Sequence, residues 1–386
     1  VRTATPTELR PFDRASASQA IWAATVLLSA AFAILILTRI RESTADGQMP
    51  LNDFFAIWCF AKYAAAHGAQ GIYDPSTLHG FMQSLDDSLR QHYPYSYPPS
   101  FLLMIWPLGL VGQGAAYAAW MAGTFGLYLL ASFERDRPWP SFFVAIAPAT
   151  MIDLYLGQTG FLSSALIVGG FRLLKPLPVL AGILFGLVSF KPQLGILLPI
   201  ALVAARQWRA IAGAAGTIAL LVIASGILFG WSSWLEWIAT LPSHSHYVET
   251  AVNQHYKATL TATLEMAGFS AEVAHIVQAS AALAVAGIIW ICFRRGSGRL
   301  TPAALMSGTF LAAPYAFFYD LPMLTNAALA ASRRRSSPAE TFILALSILF
   351  PIVMLLTWRL WPIPLPAIIL LFGLIVRRVL RADPGN

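Results

Sequence analysis

The sequence predicts an all-α fold, a polytopic bundle of transmembrane helices with about twelve crossings and helices at the membrane interface in its first outer loop. Composition is the first reason. Of 386 residues, 57% are hydrophobic and 11% are charged, whereas a soluble domain carries about 25% charged residues. A water-soluble globule of this size has no core large enough to hide that apolar surface. The second reason is a set of long runs without Asp, Glu, Lys or Arg: Ala20–Thr38, Gly114–Phe133, Ala210–Trp231, Ile276–Phe293, Leu300–Tyr319 and Thr341–Trp358. Each approaches the ~20 residues that cross the hydrocarbon. The third is the lack of alternation between apolar and polar residues in these runs, which argues against the other spanning solution, a closed barrel.

Taken in order, the apolar segments are 20–38, 114–132, 140–156, 159–173, 177–190, 192–205, 210–230, 273–293, 301–318, 320–332, 339–358 and 361–377. The first is too long for a signal core and has no evident small-residue cleavage site after Thr38. Pro98–Gly112 is short and opens on two prolines, so it is expected to enter the membrane only partly. Basic residues support that count. Most of the 25 Lys and Arg residues, among them Arg2, Arg135, Arg172, Lys175, Arg206, Arg294, Arg333 and Arg381, fall in one set of loops, which the positive-inside rule places in the cytoplasm with both termini. The chain reads as one integral membrane domain, 1–386, with two long loops on the opposite side, 39–97 and 232–271. The basic excess is explained by topology, and nucleic acid is not expected as a partner. The two cysteines, Cys59 and Cys292, are too few for a disulfide scaffold.

Within the first outer loop, Asp53–His67 has Phe54, Ile57, Trp58, Ala61 and Ala65 on one helical face and is expected to lie in the interface plane. A second helix is expected over Pro75–Arg90, with Asp74 as its cap and Pro75 in its first turn. The stretch from Tyr93 to Pro99 reads as an extended aromatic return to the membrane.

A few polar residues sit where burial is expected. Asp53 is either a helix-start carboxylate favoured by the dipole or a general base at the membrane surface. Lys191 interrupts two apolar segments, and either snorkels to headgroups or meets an anion such as phosphate. Asp153, Gln158 and Asp320 are either polar caps or a cluster around one outer cavity, lined by the short segments 159–173, 177–190, 192–205 and 320–332. His244, His246 and His255 have no metal-site spacing around them, and no metal is expected. Trp231, Trp234 and Trp237 are either an interfacial belt or a platform for a sugar or lipid. No Gly-x-x-x-x-Gly-Lys loop occurs, which argues against nucleotide hydrolysis.

Several motifs then fall in a recognisable order: Asn52-Asp53-Phe54-Phe55 with Tyr63; Gly71-Ile72-Tyr73-Asp74-Pro75; Tyr97-Pro98-Pro99-Ser100; Gly157-Gln158; Gly182 to Gly186; Lys191-Pro192; Arg206-Gln207-Trp208-Arg209; and Ala313-Pro314 through Asp320-Leu321-Pro322. The set resembles glycosyltransferase family 87 over about Asp53 to Pro322. In the late motif, relatives often carry a Ser and a His where this chain has Phe317-Phe318-Tyr319-Asp320. The resemblance implies a GT-C membrane transferase of the bacterial plasma membrane, of the kind that includes polyprenyl-phosphate-mannose-dependent α-mannosyltransferases. It implies transfer of a hexose, most naturally mannose, from a polyprenyl-phosphate sugar to an envelope glycolipid or glycan on the non-cytoplasmic side, with membrane lipids around it and no cofactor. It also implies that Asp53 is the catalytic base. In that scheme Lys191 meets the donor phosphate, and Tyr95, Tyr97, Gln158 and Asp320 line the substrate pocket. The competing class is a transporter or flippase for an amphipathic substrate, which would show inverted repeats and more polar residues deep in its spans.

Overall fold

In the computed structural model, residues 14–45, 53–250, 257–296, 298–334, 336–356 and 364–382 are described. Every regular element among them is helical. In chain order these are α1 (Arg14–Ala45), α2 (Asp53–His67), α3 (Pro75–Leu85), α4 (Pro99–Ile105), α5 (Gln113–Ser132), α6 (Pro138–Ile146), α7 (Pro148–Leu156), α8 (Gly160–Leu173), α9 (Pro178–Leu187), α10 (Leu198–Ala204), α11 (Trp208–Phe229), α12 (Ser232–Thr250), α13 (Leu260–Met266), α14 (Ala271–Arg295), α15 (Thr301–Ala312), α16 (Pro322–Ala331), α17 (Pro338–Leu356) and α18 (Pro364–Arg381). Prolines punctuate this order. Pro75, Pro99, Pro138, Pro148, Pro178 and Pro322 each open a helix, where a missing N–H costs nothing and a fixed φ helps.

Four helical stretches are long and apolar enough to cross a membrane alone: Ser16–Glu42, Trp208–Phe229, Ala271–Arg295 and Pro338–Leu355. A fifth crossing is available from α6 and α7, which bend by 44° at Ala147. The cause of that bend is local. Pro148 has no N–H to give and pushes Ala147 to an extended conformation (ψ 144°). Of the other expected crossings, 114–132 falls on the 20-residue α5 and the described part of 361–377 on the 18-residue α18, and the rest fall on shorter apolar helices or on paired short pieces. The segment 192–205 is a 3-10 turn followed by α10, and 301–318 ends as a helix at Ala312. Pro99–Leu110 is a short apolar helix continued by a 3-10 turn.

The surface is apolar where a soluble protein would be charged. On α11, Leu220 is 66% exposed and Ile227 72% exposed, the pattern of a helix with lipid as its solvent. The interior packs closely instead. Gly182 and Gly213 bring α9 and α11 together, since a Cβ on either would overlap a backbone carbonyl of the facing helix.

The helix expected over Asp53–His67 forms with those bounds, and the protein covers more of it than the one expected apolar face. Phe55, Cys59 and Phe60, off the expected apolar face, are buried together with Phe54, Ile57 and Trp58. Gly109 is the reason on one side: its Cα meets the backbone of Ala61 and Lys62 with no room for a side chain. The second helix starts as expected, with Asp74 accepting from Ser76 N at 3.0 Å, but ends at Leu85 rather than Arg90. Asp86 takes over there as a turn acceptor for Ser88 N at 2.9 Å. The indole N–H groups of Trp234 and Trp237 donate to Ser225 Oγ at 3.1 Å and to Ser96 O at 3.2 Å, which fixes both rings. Asn52, His255 and both chain ends lie outside the described residues, as do the side chains of His244 and His246.

Candidate active site

Four chain segments meet around one group of polar side chains: the start of α2, the turn between α7 and α8, the kinked link between α9 and α10, and the irregular stretch that follows α15. Each arrives there for a local reason.

Asp53 is the first residue of α2, where the helix dipole favours a carboxylate. Its Oδ2 accepts a hydrogen bond from Gln158 Nε2 at 3.1 Å. Gln158 is held by its neighbours. Gly157 closes α7 in the left-handed region (φ 69°) and sends its N–H to Asp153 O at 2.8 Å. A Cβ at Gly157 would lie 2.6 Å from Cβ of Phe54, so glycine is what lets the turn press against α2 beside Asp53. From α5, Trp120 Nε1 donates to Gln158 O at 3.3 Å and Tyr117 Oη to Leu154 O at 2.6 Å. Asp53 is half-buried. Burial pushes its carboxyl above the usual carboxylate range, and the Gln158 amide pulls it part of the way back.

Lys191 lies between two 3-10 turns, Val188–Phe190 and Pro192–Gly195. It is 3% exposed, so it does not snorkel. Its Nζ donates to Asp320 Oδ1 at 2.7 Å and stands 4.6 Å from the centre of the Tyr319 ring. The other oxygen of Asp320 accepts from Phe317 N at 3.2 Å. That stretch is anchored from both sides. Phe317 pairs in an antiparallel bridge with Lys257 of the second long loop, where Ala258 N donates to Ala316 O at 2.8 Å. Gly160 touches the carbonyl of Tyr319 so closely that no Cβ could stand there.

Asp153 completes the group. It is fully buried, and its Oδ2 accepts from Phe161 N at 2.6 Å, satisfying one of the open donors at the start of α8. Tyr97 and Tyr319 each lie within electrostatic reach of Asp53, Asp153 and Asp320. The structure therefore brings together Asp53, Gln158, Tyr97, Lys191 and Asp320 from the sequence-based set. Tyr95 meets this group through Tyr97, whose ring centre is 5.9 Å from its own. It is 3% exposed, donates its hydroxyl to Pro98 O at 3.2 Å, and packs edge-on against Phe60, contacts that brace the loop.

Asp153 takes the helix-capping role that the sequence offered as one of its two readings, whereas the places of Tyr319 and Lys257 depend on contacts between distant segments and are not legible in the sequence. No group of three His, Cys, Asp or Glu side chains suited to a metal ion occurs among the described residues.

The pattern of glycosyltransferase family 87 matches residues 95–317. The chain belongs to glycosyltransferase family 87. It is a membrane glycosyltransferase, and the match runs through Tyr97, Gln158 and Lys191, stopping just short of Asp320 and starting after Asp53. No protein of curated function and no solved structure matches the chain. As a family 87 enzyme it needs a sugar donor and an acceptor.

Proposed function

We propose that this enzyme moves a hexose, most naturally mannose, from a polyprenyl-phosphate sugar to an envelope glycolipid or glycan on the non-cytoplasmic side of a bacterial plasma membrane. The observation that carries the reading is the contrast between Asp53 and its two neighbours. Asp320 is committed to Lys191 and to Phe317 N, and Asp153 is sealed against the start of α8. Asp53 holds one amide contact and keeps part of its surface open. Asp153 Oδ1 also lacks a partner but is fully buried, so Asp53 is the one of the three with open surface from which to take an acceptor's proton.

The reaction needs little more. The acceptor O–H gives its proton to Asp53 as its oxygen attacks the anomeric carbon. The bond from that carbon to the phosphate oxygen breaks, its electron pair stays on the phosphate, and the polyprenyl phosphate leaves. A base placed at hydrogen-bond distance contributes about 10²–10⁴ in rate. Lys191 has three N–H donors. One goes to Asp320 and the ammonium faces the Tyr319 ring. The remaining donors are available to the departing phosphate oxygens, where charge grows in the transition state. Gln158 Oε1 has no partner among the described residues, so it can accept from a sugar hydroxyl, with Tyr97 beside it.

A single displacement inverts the anomeric configuration. Retention requires a second carboxylate as nucleophile, and the full burial of Asp153 and the ion pair held by Asp320 argue against one. The test is to incubate purified enzyme with a panel of polyprenyl-phosphate sugars and a lipid acceptor, and to read the anomeric configuration of the product by NMR. Transfer with inversion supports the reading. Transfer from a nucleotide sugar but from none of the lipid-linked donors rejects it.

A further inference from the structure

A cavity of about 1060 Å³ lies at the other end of α5 and α8 from Asp53. Along α8, Phe161, at the Asp53 end, is eleven residues from Arg172, which lines this cavity. At 1.5 Å per residue that is about 16 Å. Six basic side chains line the cavity: Arg135, Arg172, Lys175, Arg206, Arg294 and Arg333. They come from five separate links between helices, and all six belong to the basic loop set that the sequence places on one side of the membrane.

The charge is not balanced from within. Two acidic residues, Glu134 and Asp136, line the same space. Glu134 is engaged by Arg172, at 3.7 Å, and by Arg333. The side chains of Arg135, Lys175, Arg206 and Arg294 form no ion pair or hydrogen bond with another described residue, which leaves Asp136 facing four cations. Arg206 is also the single non-glycine residue among those described with a positive φ (54°), a conformation that disfavours any residue with a Cβ. The wall behind the charges is apolar, with Val168, Phe171 and Met306, and Phe133, which also lines it, is 45% exposed.

We propose that this cavity binds the headgroup of an anionic phospholipid from the surrounding leaflet, with its phosphate against Arg206, Lys175 and Arg294 and its acyl chains along the apolar edge at Phe133. Basic pockets between transmembrane helices on the cytoplasmic side take such headgroups. A soluble phosphate has no use for the apolar edge, which is why the lipid is favoured.

The experiment uses the full chain purified in a neutral detergent. Phosphatidylglycerol and phosphatidylcholine are added in equal amounts, and lipid retained on the protein is read by native mass spectrometry. The wild type is expected to retain phosphatidylglycerol at least tenfold over phosphatidylcholine. The triple variant K175Q/R206Q/R294Q is expected to fall below twofold, while the control R39Q/R41Q keeps the wild-type ratio. If the triple variant is not monodisperse by size exclusion, the single variants K175Q, R206Q and R294Q replace it, each expected to lower the ratio about threefold. Unchanged ratios in these variants would overturn the site. Displacement of the lipid by millimolar inorganic pyrophosphate as readily as by phosphatidylglycerol would overturn the lipid assignment. Neither readout passes through sugar transfer, so failure here is separate from failure of the proposed reaction.

Discussion

Lys191 and Asp320 are 129 residues apart in the chain and 2.7 Å apart in the fold. Their side chains are 4% and 1% exposed, so this pair sits in a dry setting where each charge depends on the other. Removing one partner of a buried pair strands the other charge and costs about 3–5 kcal/mol. Lys191→Met and Asp320→Asn are each expected to lower the midpoint of thermal unfolding in detergent. The double replacement Lys191→Met with Asp320→Leu is expected to recover much of that loss, because an apolar pair strands nothing. Transfer activity should stay absent in the double variant. Recovered activity would show that the ammonium has no part in the reaction.

Asp53→Asn keeps the shape of the side chain and removes its basicity. The expected outcome is a fall of about 10²–10⁴ in kcat with unfolding behaviour unchanged within error. Asp53→Glu is expected to restore part of the rate, since a carboxylate returns in a displaced position. Near wild-type kcat in the Asp53→Asn enzyme would remove Asp53 from the chemistry.

The pH profile follows from the Gln158 contact. Burial raises the Asp53 carboxyl, and the amide of Gln158 lowers it. A base acts when deprotonated, so kcat/KM is expected to rise with pH through the Asp53 pKa, and that limb should lie above the ordinary carboxylate range. Gln158→Leu removes the donor that stabilises the carboxylate, which moves the limb to higher pH. A limb that stays in place, or moves down, counts against Asp53 as the titrating base.

Close backbone approach gives a steric prediction. A Cβ at Gly160 would run into the Tyr319 carbonyl and stand 2.7 Å from Asp153 Oδ2, whereas Gly216 on α11 has open space around it. Gly160→Ala is expected to lower both thermal stability and activity by pushing the stretch 318–320 away from Lys191. Gly216→Ala should leave activity intact and hold or raise the unfolding midpoint, since alanine is the better helix former by about 1 kcal/mol. Equal behaviour of the two variants would mean that α8 and the 318–320 turn are not in contact.

The sequence by itself determined the membrane character, because length and charge depletion act along the chain without reference to partners. It determined many helix starts through prolines, which open eight of the eighteen described α-helices. It also marked Asp53, Gln158, Lys191 and Asp320, since a polar group beside apolar runs is conspicuous wherever it finally sits. Tertiary structure decided what those groups do to one another. Whether Lys191 snorkels or pairs, whether α2 is surface or core, and whether Tyr95 or Tyr97 faces the carboxylates all depend on contacts between segments dozens of residues apart. Hydropathy averages over a window of one helix and holds no record of such contacts. The two ends of the bundle, one gathering Asp53 with Lys191 and the other gathering Arg206 with Arg294, exist because helix packing sets side chains from different loops against one another.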